Sequence, residues 1–324
     1  MRKGVNPEKY KKEKLPHFLH RVIVPVYIPN LKHKYYSNQF EVFETFIVHL
    51  LKTINQNRTA ITLIDNNCCL EIKNFLAAYQ SKIDKFIVYN ENKGKVYPVL
   101  QEARSAAESF VTITDADVLF YQGWEDAVFE IFANCPKAGV VAPLPSPGHA
   151  FYENSLIFAE NYIQGGIAYE KKMSDTDAEL YLHGMGNESL LNRENRTYSW
   201  KKRQYILKGK NAIIGCGHFV ATYRSQMFRG EYNFPEIKFK NGLEREFIDS
   251  LANKKGFYRL STVKTYAYHM ANNLDENAKG ITAKPSKINI DPDLIKKAKY
   301  YQKSRMPYGV HTLILKILKR FFQL

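Results

Sequence analysis

The run SFVTITDADVLF at residues 109–120 ends a stretch of strand formers on two carboxylates, Asp115 and Asp117, with one small residue between them. Side chains two apart on an extended chain point the same way, so both carboxylates can meet one ion. A hard divalent cation takes oxygen ligands and is commonly shared between one or two carboxylates and the phosphates of a substrate. Asp-x-Asp at a strand end therefore points to a metal site whose natural guest is a nucleotide diphosphate.

Such a site needs a sheet to hold it. Phe110, Val111, Thr112 and Ile113 have the aromatic and β-branched content of a central strand. Upstream, RVIVPVYIP at 21–29 reads as a short buried strand with a rigid exit at Pro25 and Pro29. Phe40, Phe43, Ile47, Leu50, Leu51 and Ile54 then recur at helical spacing. A strand at AITLIDNN ending on Asp65, a helix over 70–79, a strand at KFIVYN and a helix over 96–107 lead into the Asp-x-Asp strand. After Gly123 a helix over 124–134 and a strand at AGVVAPLP complete this half. Alternation on this period predicts an α/β fold, a mostly parallel sheet flanked by helices. Ligands of such sheets sit beyond the strands' carboxyl ends, where Asp65 and Asp115 both lie.

Charge and cysteines narrow the class. The net charge is +15, yet residues 1–21 hold seven basic and two acidic side chains and residues 279–324 hold eleven and two, leaving 29 and 28 for 22–278. A body near neutral between basic ends argues against nucleic acid as partner, since a groove reader carries its basic residues on the folded face. Anionic lipid headgroups suit basic ends. Cys68, Cys69, Cys135 and Cys216 lack CxxC spacing and two are adjacent, which fits free thiols in a reducing cytoplasm. The first twenty residues have no apolar h-region, and no run of 18 apolar residues occurs.

Taken together, these segments resemble the GT-A glycosyltransferases, most nearly the family 2 type. VIVPVYIP looks like their first strand and ITLIDNNC like their second; YNENKGKVYPVLQEARSAAESFVTITDADVLF resembles the NxGxxxAxNxG-type helix running into the Asp-x-Asp strand, and GWEDAVFEIFANCPKAGVVAP the helix and strand after it. The likeness covers residues 21–145 and returns over 215–272. It implies a nucleotide-sugar donor, a UDP- or GDP-sugar, lined by Pro25 and Tyr27, with Asp65 accepting from the base and Lys93 and Gly94 near the ribose and phosphates. Asp115 would face the ribose and Asp117 would hold the metal. His269, in the string YHMAN, corresponds to a late histidine that completes the metal site in many such enzymes, and a nitrogen ligand favours Mn²⁺ over Mg²⁺.

The family places an acidic pair at a helix start about a dozen residues before a glycine. Counting back from Gly256 puts Glu244 on the first member and Arg245 on the second, where the usual base would stand. On a helical projection Glu244 leans towards the buried side of Leu243, Phe247, Ile248 and Leu251, where desolvation would raise its pKa and suit a proton acceptor. Glu246 and Asp249 project onto a solvated face. Glu244 is thus the first candidate for the base of an inverting transfer and Glu246 the second, with neither residue, including a retaining mechanism, as the remaining alternative.

Residues 151–210 depart from the family pattern and are polar and glycine-containing, as a mobile insertion would be, with His183, Trp200 and Arg203 as candidate acceptor contacts. His149 and His218 stand near strand ends, the latter after Gly215 and Gly217, which permit close approach of ligand or backbone. Over 310–323, Val310, Leu313, Ile314, Ile317, Leu318 and Phe321 share one helical face, and Lys316, Lys319, Arg320 and Gln323 the other. That is the pattern of an in-plane membrane helix, with docking on the protein's own core or on a second subunit as rivals.

The expected organisation is a basic extension at 1–20, a catalytic domain at 21–275 and a basic extension with an amphipathic helix at 276–324. The expected activity is metal-dependent transfer of a sugar to a glycan or lipid-linked acceptor at the cytoplasmic face of a membrane. A sugar nucleotidyltransferase can share the sheet but usually opens with a glycine-rich phosphate loop, which VPVYIPN lacks. A non-catalytic polyanion- or lipid-binding protein would explain the basic ends but not the paired aspartates.

Overall fold

The computed structural model describes residues 3–11, 17–186, 201–230, 233–281 and 291–322. In chain order the first half runs β1 (His20–Val26), α1 (Gln39–Thr53), β2 (Thr59–Asp65), α2 (Leu70–Tyr79), β3 (Lys85–Val88), α3 (Val96–Ser105), β4 (Phe110–Thr114), β5 (Val118–Phe120), α4 (Trp124–Asn134) and β6 (Ala138–Ala142). The second half adds α5 (Ser155–Asn161), β7 (Ile167–Glu170), α6 (Asp175–Gly184), β8 (Gln204–Leu207), β9 (Ala212–Ile214), β10 (Val220–Arg224), α7 (Ser250–Lys254), β11 (Tyr258–Ser261), β12 (Ala267–His269), α8 (Glu276–Lys279), α9 (Pro292–Lys299) and α10 (Tyr308–Phe322).

One sheet carries the chain in the order β3-β2-β1-β4-β10-β6-β11-β9-β8-β7. β3, β2, β1 and β4 are parallel neighbours, and β10 enters antiparallel between β4 and β6. β11 pairs parallel with β6, and β9, β8 and β7 continue by antiparallel pairing. Strands β1, β2, β4 and β6 are almost wholly buried, as their unbroken apolar runs require when helices cover both faces. α3 packs on β1 and α4 on β6. The chain thus has the α/β architecture that the resemblance implied.

Three regions add to or depart from the expected pattern. The segment read as a mobile insertion supplies α5, α6 and two sheet strands, β7 and β8, in its described part. NAIIGCGHFVATYR forms two strands, β9 and β10, which lie apart in the sheet with Gly215 and Gly217 between them in the chain. The C-terminal extension wraps back on the body: α9 packs against α4 and α10 against α5. Buried Arg224 ties this wrap down, donating from Nε to the Ala138 carbonyl (2.7 Å) and from Nη1 to that of Ala298 (2.6 Å).

α10 docks through His311, Leu315 and Leu318, so of the projected stripe Leu318 is buried and Ile314 half-buried while its other members turn away from the body. At 100° per residue the docked face lies roughly 90° around the helix from that stripe. Leu313 (58% exposed), Ile317 (46%) and Phe321 (72%) consequently face solvent. Among the described residues no helix is long and apolar enough to cross a membrane.

Candidate active site

The carboxyl ends of β1 and β4 open into a cleft of about 380 Å³, lined among others by Pro25, Tyr27, Tyr36, Gly94, Lys95, Asp115 and Asp117. β4 ends at Thr114, and the chain turns through Ala116 and Asp117 before β5 starts at Val118. The two carboxylates therefore converge through a turn, where an extended chain was expected. β5 pairs antiparallel with β12 as a separate ribbon, His269 opposite Val118, and the Met270 N–H donates to the Asp117 carbonyl (2.8 Å). That ribbon brings His269, more than 150 residues distant in sequence, beside Asp117.

One ligand atom from each of Asp115, Asp117 and His269 lies within 4.8 Å of the others. His269 Nδ1 donates to the Gly184 carbonyl at the end of α6 (2.7 Å), which turns Nε2 to Asp117 Oδ2 at 3.4 Å. A ring N–H anchored on a backbone carbonyl is the usual support of a metal-bound imidazole. Burial, the largest influence, lowers the His269 pKa, but the hydrogen bond and charge of Asp117, the Gly184 carbonyl and Asp115 together push it up to about 9. Asp117 Oδ1 is buried with no hydrogen-bond partner among the described residues. Two carboxylates, one with an oxygen lacking a partner among the described residues, and an oriented imidazole suit a divalent cation.

Lys95 belongs to no motif of the sequence and proves central. Its ammonium lies 2.5 Å from Asp115 Oδ1 and 2.5 Å from Glu244 Oε1. Burial works against its charge, and the two carboxylates more than compensate, raising its pKa. The signal available in sequence was the repeat Lys93-Gly94-Lys95, in which the second lysine starts α3. Lys93 instead turns to Glu91 (2.5 Å) and does not line the cleft. Gly94 lines it with φ +75°, yet its missing side chain accommodates backbone: a Cβ there would lie 2.5 Å from the Lys238 carbonyl oxygen. Gly215 likewise faces backbone, at the Ser146 carbonyl.

Asp65 does not reach the cleft. It is fully buried, and its Oδ1 accepts the Cys68 N–H at 2.7 Å, the turn-forming role of a carboxylate three residues before an amide. The neighbouring Asn66 lines the cleft and braces the 92–94 loop, donating to Asn92 Oδ1 (2.9 Å) and the Gly94 carbonyl (3.0 Å) and accepting from the Lys93 N–H (2.8 Å).

At the helix start a π-turn at Arg245–Asp249 precedes α7. The extra residue rotates the rest of the helix, so Asp249, projected onto a solvated face, is fully buried. It pairs with buried Arg259 (3.1 Å) and accepts from the Tyr152 hydroxyl (3.0 Å). Glu244 is not desolvated as projected; its side chain is 30% exposed and shares Lys95. Glu246 is exposed and does not line the cleft. Arg245 ion-pairs with Glu153 (2.7 Å). His218 stands between Asp249 Oδ2 (3.8 Å) and Glu244 Oε2 (4.0 Å), with the His149 ring 6.3 Å away. Arg203 lies over the Tyr169 ring and His183 is exposed near the end of α6; neither lines the cleft, and Trp200 falls outside the described residues.

No family model and no curated protein matches the chain. Among solved structures it is similar to S. aureus TarS 1–349, at 16% identity and TM-score 0.45 over 77% of this chain and 59% of that one. The same TarS fragment in complex with UDP aligns at 14% and 0.46, covering 94% and 72%. A mannosyltransferase from Pyrobaculum calidifontis, in complex with GDP-Man and Mn²⁺, aligns at 14% and 0.41, covering 76% and 55%. The chain thus spans 59% of the length of the first of these. Likenesses so distant concern overall fold and say nothing of activity.

Proposed function

We propose that the chain is a metal-dependent glycosyltransferase that moves a sugar from a UDP- or GDP-sugar to a glycan or lipid-linked acceptor with inversion. The observation that carries this is the convergence of Asp115, Asp117 and anchored His269, the two aspartates lining a cleft at the sheet's carboxyl edge and Asp117 Oδ1 having no partner among the described residues. A divalent cation bound there supplies neutralising charge for the departing diphosphate. Pro25 and Tyr27 wall the nucleotide side, and Tyr36 offers a second ring at 6.4 Å from Tyr27. Lys95 adds a fixed positive charge at the Asp115 end. Glu244, one ammonium away from Asp115, is the residue placed to accept the acceptor's proton. A thermal-shift screen of UDP-, GDP- and CMP-sugars with and without Mn²⁺ tests the reading: Mn²⁺-dependent stabilisation by one nucleotide class is expected, and no stabilisation by any of them rejects it.

The finer reading of location is the cytoplasmic face of an anionic membrane, met through α10. Val310, Leu313, Ile317 and Phe321 form a solvent-facing apolar stripe, with Lys316 and Arg320 on its flank, a composition complementary to acidic headgroups above an acyl layer.

A further inference from the structure

Behind Lys95 lies a second cleft, of about 580 Å³, whose lining includes Lys95, Lys238, Phe239, Lys240 and Glu244. It shares Lys95 and Phe239 with the donor-side cleft, so the two meet at one wall. We infer that this second cleft receives the acceptor, and that the acceptor is a polyhydroxy compound carrying an anionic group, phosphate or carboxylate, beside its attacking hydroxyl. The inference rests on the glycosyltransferase reading and names the substrate class of that site.

The charges in the second cleft are unequal. Its one carboxylate, Glu244, is engaged with Lys95, which also serves Asp115. Lys238 shares Glu91 with Lys93, so a single carboxylate lies between two ammonium groups. Lys240 is exposed and has no carboxylate partner among the described residues. The rim therefore presents cationic donors whose countercharge is incomplete, the setting in which an incoming anion gains charge-assisted hydrogen bonds. Phe239, between the two lysines, is 67% exposed at the wall common to both clefts, a flat apolar face suited to a sugar ring.

The lysine segment is held in place. Arg104 of α3 donates to the Asn233 carbonyl (2.8 Å) and stacks over Phe234 (4.3 Å), and Tyr97 packs on the same ring (5.1 Å). Gly94 abuts the Lys238 carbonyl, fixing the segment against the loop that lines the donor cleft. An acceptor gripped by Lys238 and Lys240 would bring its hydroxyl over Glu244. The hydroxyl oxygen then bonds the anomeric carbon, the bond from that carbon to the diphosphate breaks with its electron pair leaving on the diphosphate, and the proton passes to the Glu244 carboxylate.

The test uses the full chain with Mn²⁺ and the nucleotide sugar that stabilises it. Three probes of matched length are titrated: a glycerol-phosphate oligomer, a uronic-acid oligosaccharide and a neutral oligosaccharide. One anionic probe should bind about tenfold or more tightly than the neutral one and weaken as salt rises; which of the two binds distinguishes phosphate from carboxylate. The double variant Lys238→Ala, Lys240→Ala should weaken that probe about tenfold while the nucleotide-sugar Kd and Tm stay unchanged. Equal binding of the neutral probe, no binding of either anionic probe, or unaltered binding in the double variant overturns the proposal. Failure of the nucleotide sugar to bind the unaltered chain would instead reject the parent reading.

Discussion

Two charge clusters flank the same pair of strands and are built on opposite plans. At the start of β1, Glu125 is buried and each of its oxygens accepts twice: Oε1 from Thr59 and His20 (3.0 Å to Nδ1), Oε2 from the Asn55 N–H (2.7 Å) and Arg58 (3.0 Å). Burial pushes its carboxyl up, but the hydrogen bond from His20 and the charge of Arg58 outweigh this and hold it down to about 2. Beyond the carboxyl end of β4, Asp115, Asp117, Lys95 and Glu244 are each a fifth to a third exposed, and Asp117 keeps an oxygen without a partner among the described residues. A closed cluster stabilises a fold, whereas an open one of comparable charge is poised to exchange its internal partners for a ligand.

The largest expected effect lies in the closed cluster. Arg58→Ala leaves Glu125 buried without its cation and should cost about 3–5 kcal/mol of unfolding free energy. Chemical denaturation measures this; a loss within experimental error would mean the cluster is not structural. Acid should act in the same direction. Glu125, held low, contributes stability that is complete above its unfolded value near 4.5 and is lost as pH falls towards about 2. His20, whose pKa burial lowers from 6.5, stays neutral when folded but takes a proton when unfolded, so it too lowers stability as pH drops below 6.5. His269, raised to about 9, works the other way only down to about pH 6, where its contribution is complete, so unfolding free energy should fall from about pH 5 to pH 3, and a flat profile there would contradict the assignment.

The open cluster should respond in the opposite manner, with function lost and fold kept. Glu244→Gln should leave nucleotide-sugar affinity and Tm in place and reduce transfer about a hundredfold or more, as removal of a general base does. Near-normal turnover would move the role to another residue. His218, between Asp249 and Glu244, is then the first to examine.

Asp117→Asn should abolish the part of nucleotide stabilisation that depends on Mn²⁺, about 2.7 kcal/mol at a hundredfold excess over Kd, read as the shift that Mn²⁺ adds within the same variant. Retention of the Mn²⁺-dependent shift would remove Asp117 from the metal site.

The contrast also explains what could be read from sequence. β1, β2, α2, α4 and the Asp-x-Asp strand were legible because burial on both faces imposes unbroken apolar runs and helical spacing within a short window. His269 was legible only by resemblance, since the β5–β12 ribbon that delivers it joins distant segments. The placement of β10 between β4 and β6 has no local signature for the same reason. Asp65 misled because a carboxylate at a strand end serves equally as a turn former, and the Cys68 amide captures it. Asp249 misled because a 100° projection assumes an unbroken α-helix, which the π-turn interrupts. Lys95 left almost no trace, because its meaning lies in two carboxylates contributed by separate elements.

The smallest effect expected on the fold belongs to α10, where one helix repeats the contrast on its own surface. Its docked side is closed: Leu315 and Leu318 are buried, and His311 Nδ1 lies 2.7 Å from the Ser155 hydroxyl of α5. Deleting the helix would expose that contact and confuse loss of fold with loss of membrane binding. Leu313 and Phe321, 58% and 72% exposed, can be altered without touching it. The double variant Leu313→Ser, Phe321→Ser should change unfolding free energy by no more than about 0.5 kcal/mol per site, as exposed positions do. Sedimentation with phosphatidylglycerol vesicles should nevertheless fall about tenfold or more, because insertion of an apolar stripe scales with its buried area. Neutral phosphatidylcholine vesicles should retain neither form, since Lys316 and Arg320 require acidic headgroups. Vesicle binding that survives the double substitution would leave basic residues elsewhere on the chain as its cause, and a large loss of stability would mean that the stripe is packed in solution against a second subunit.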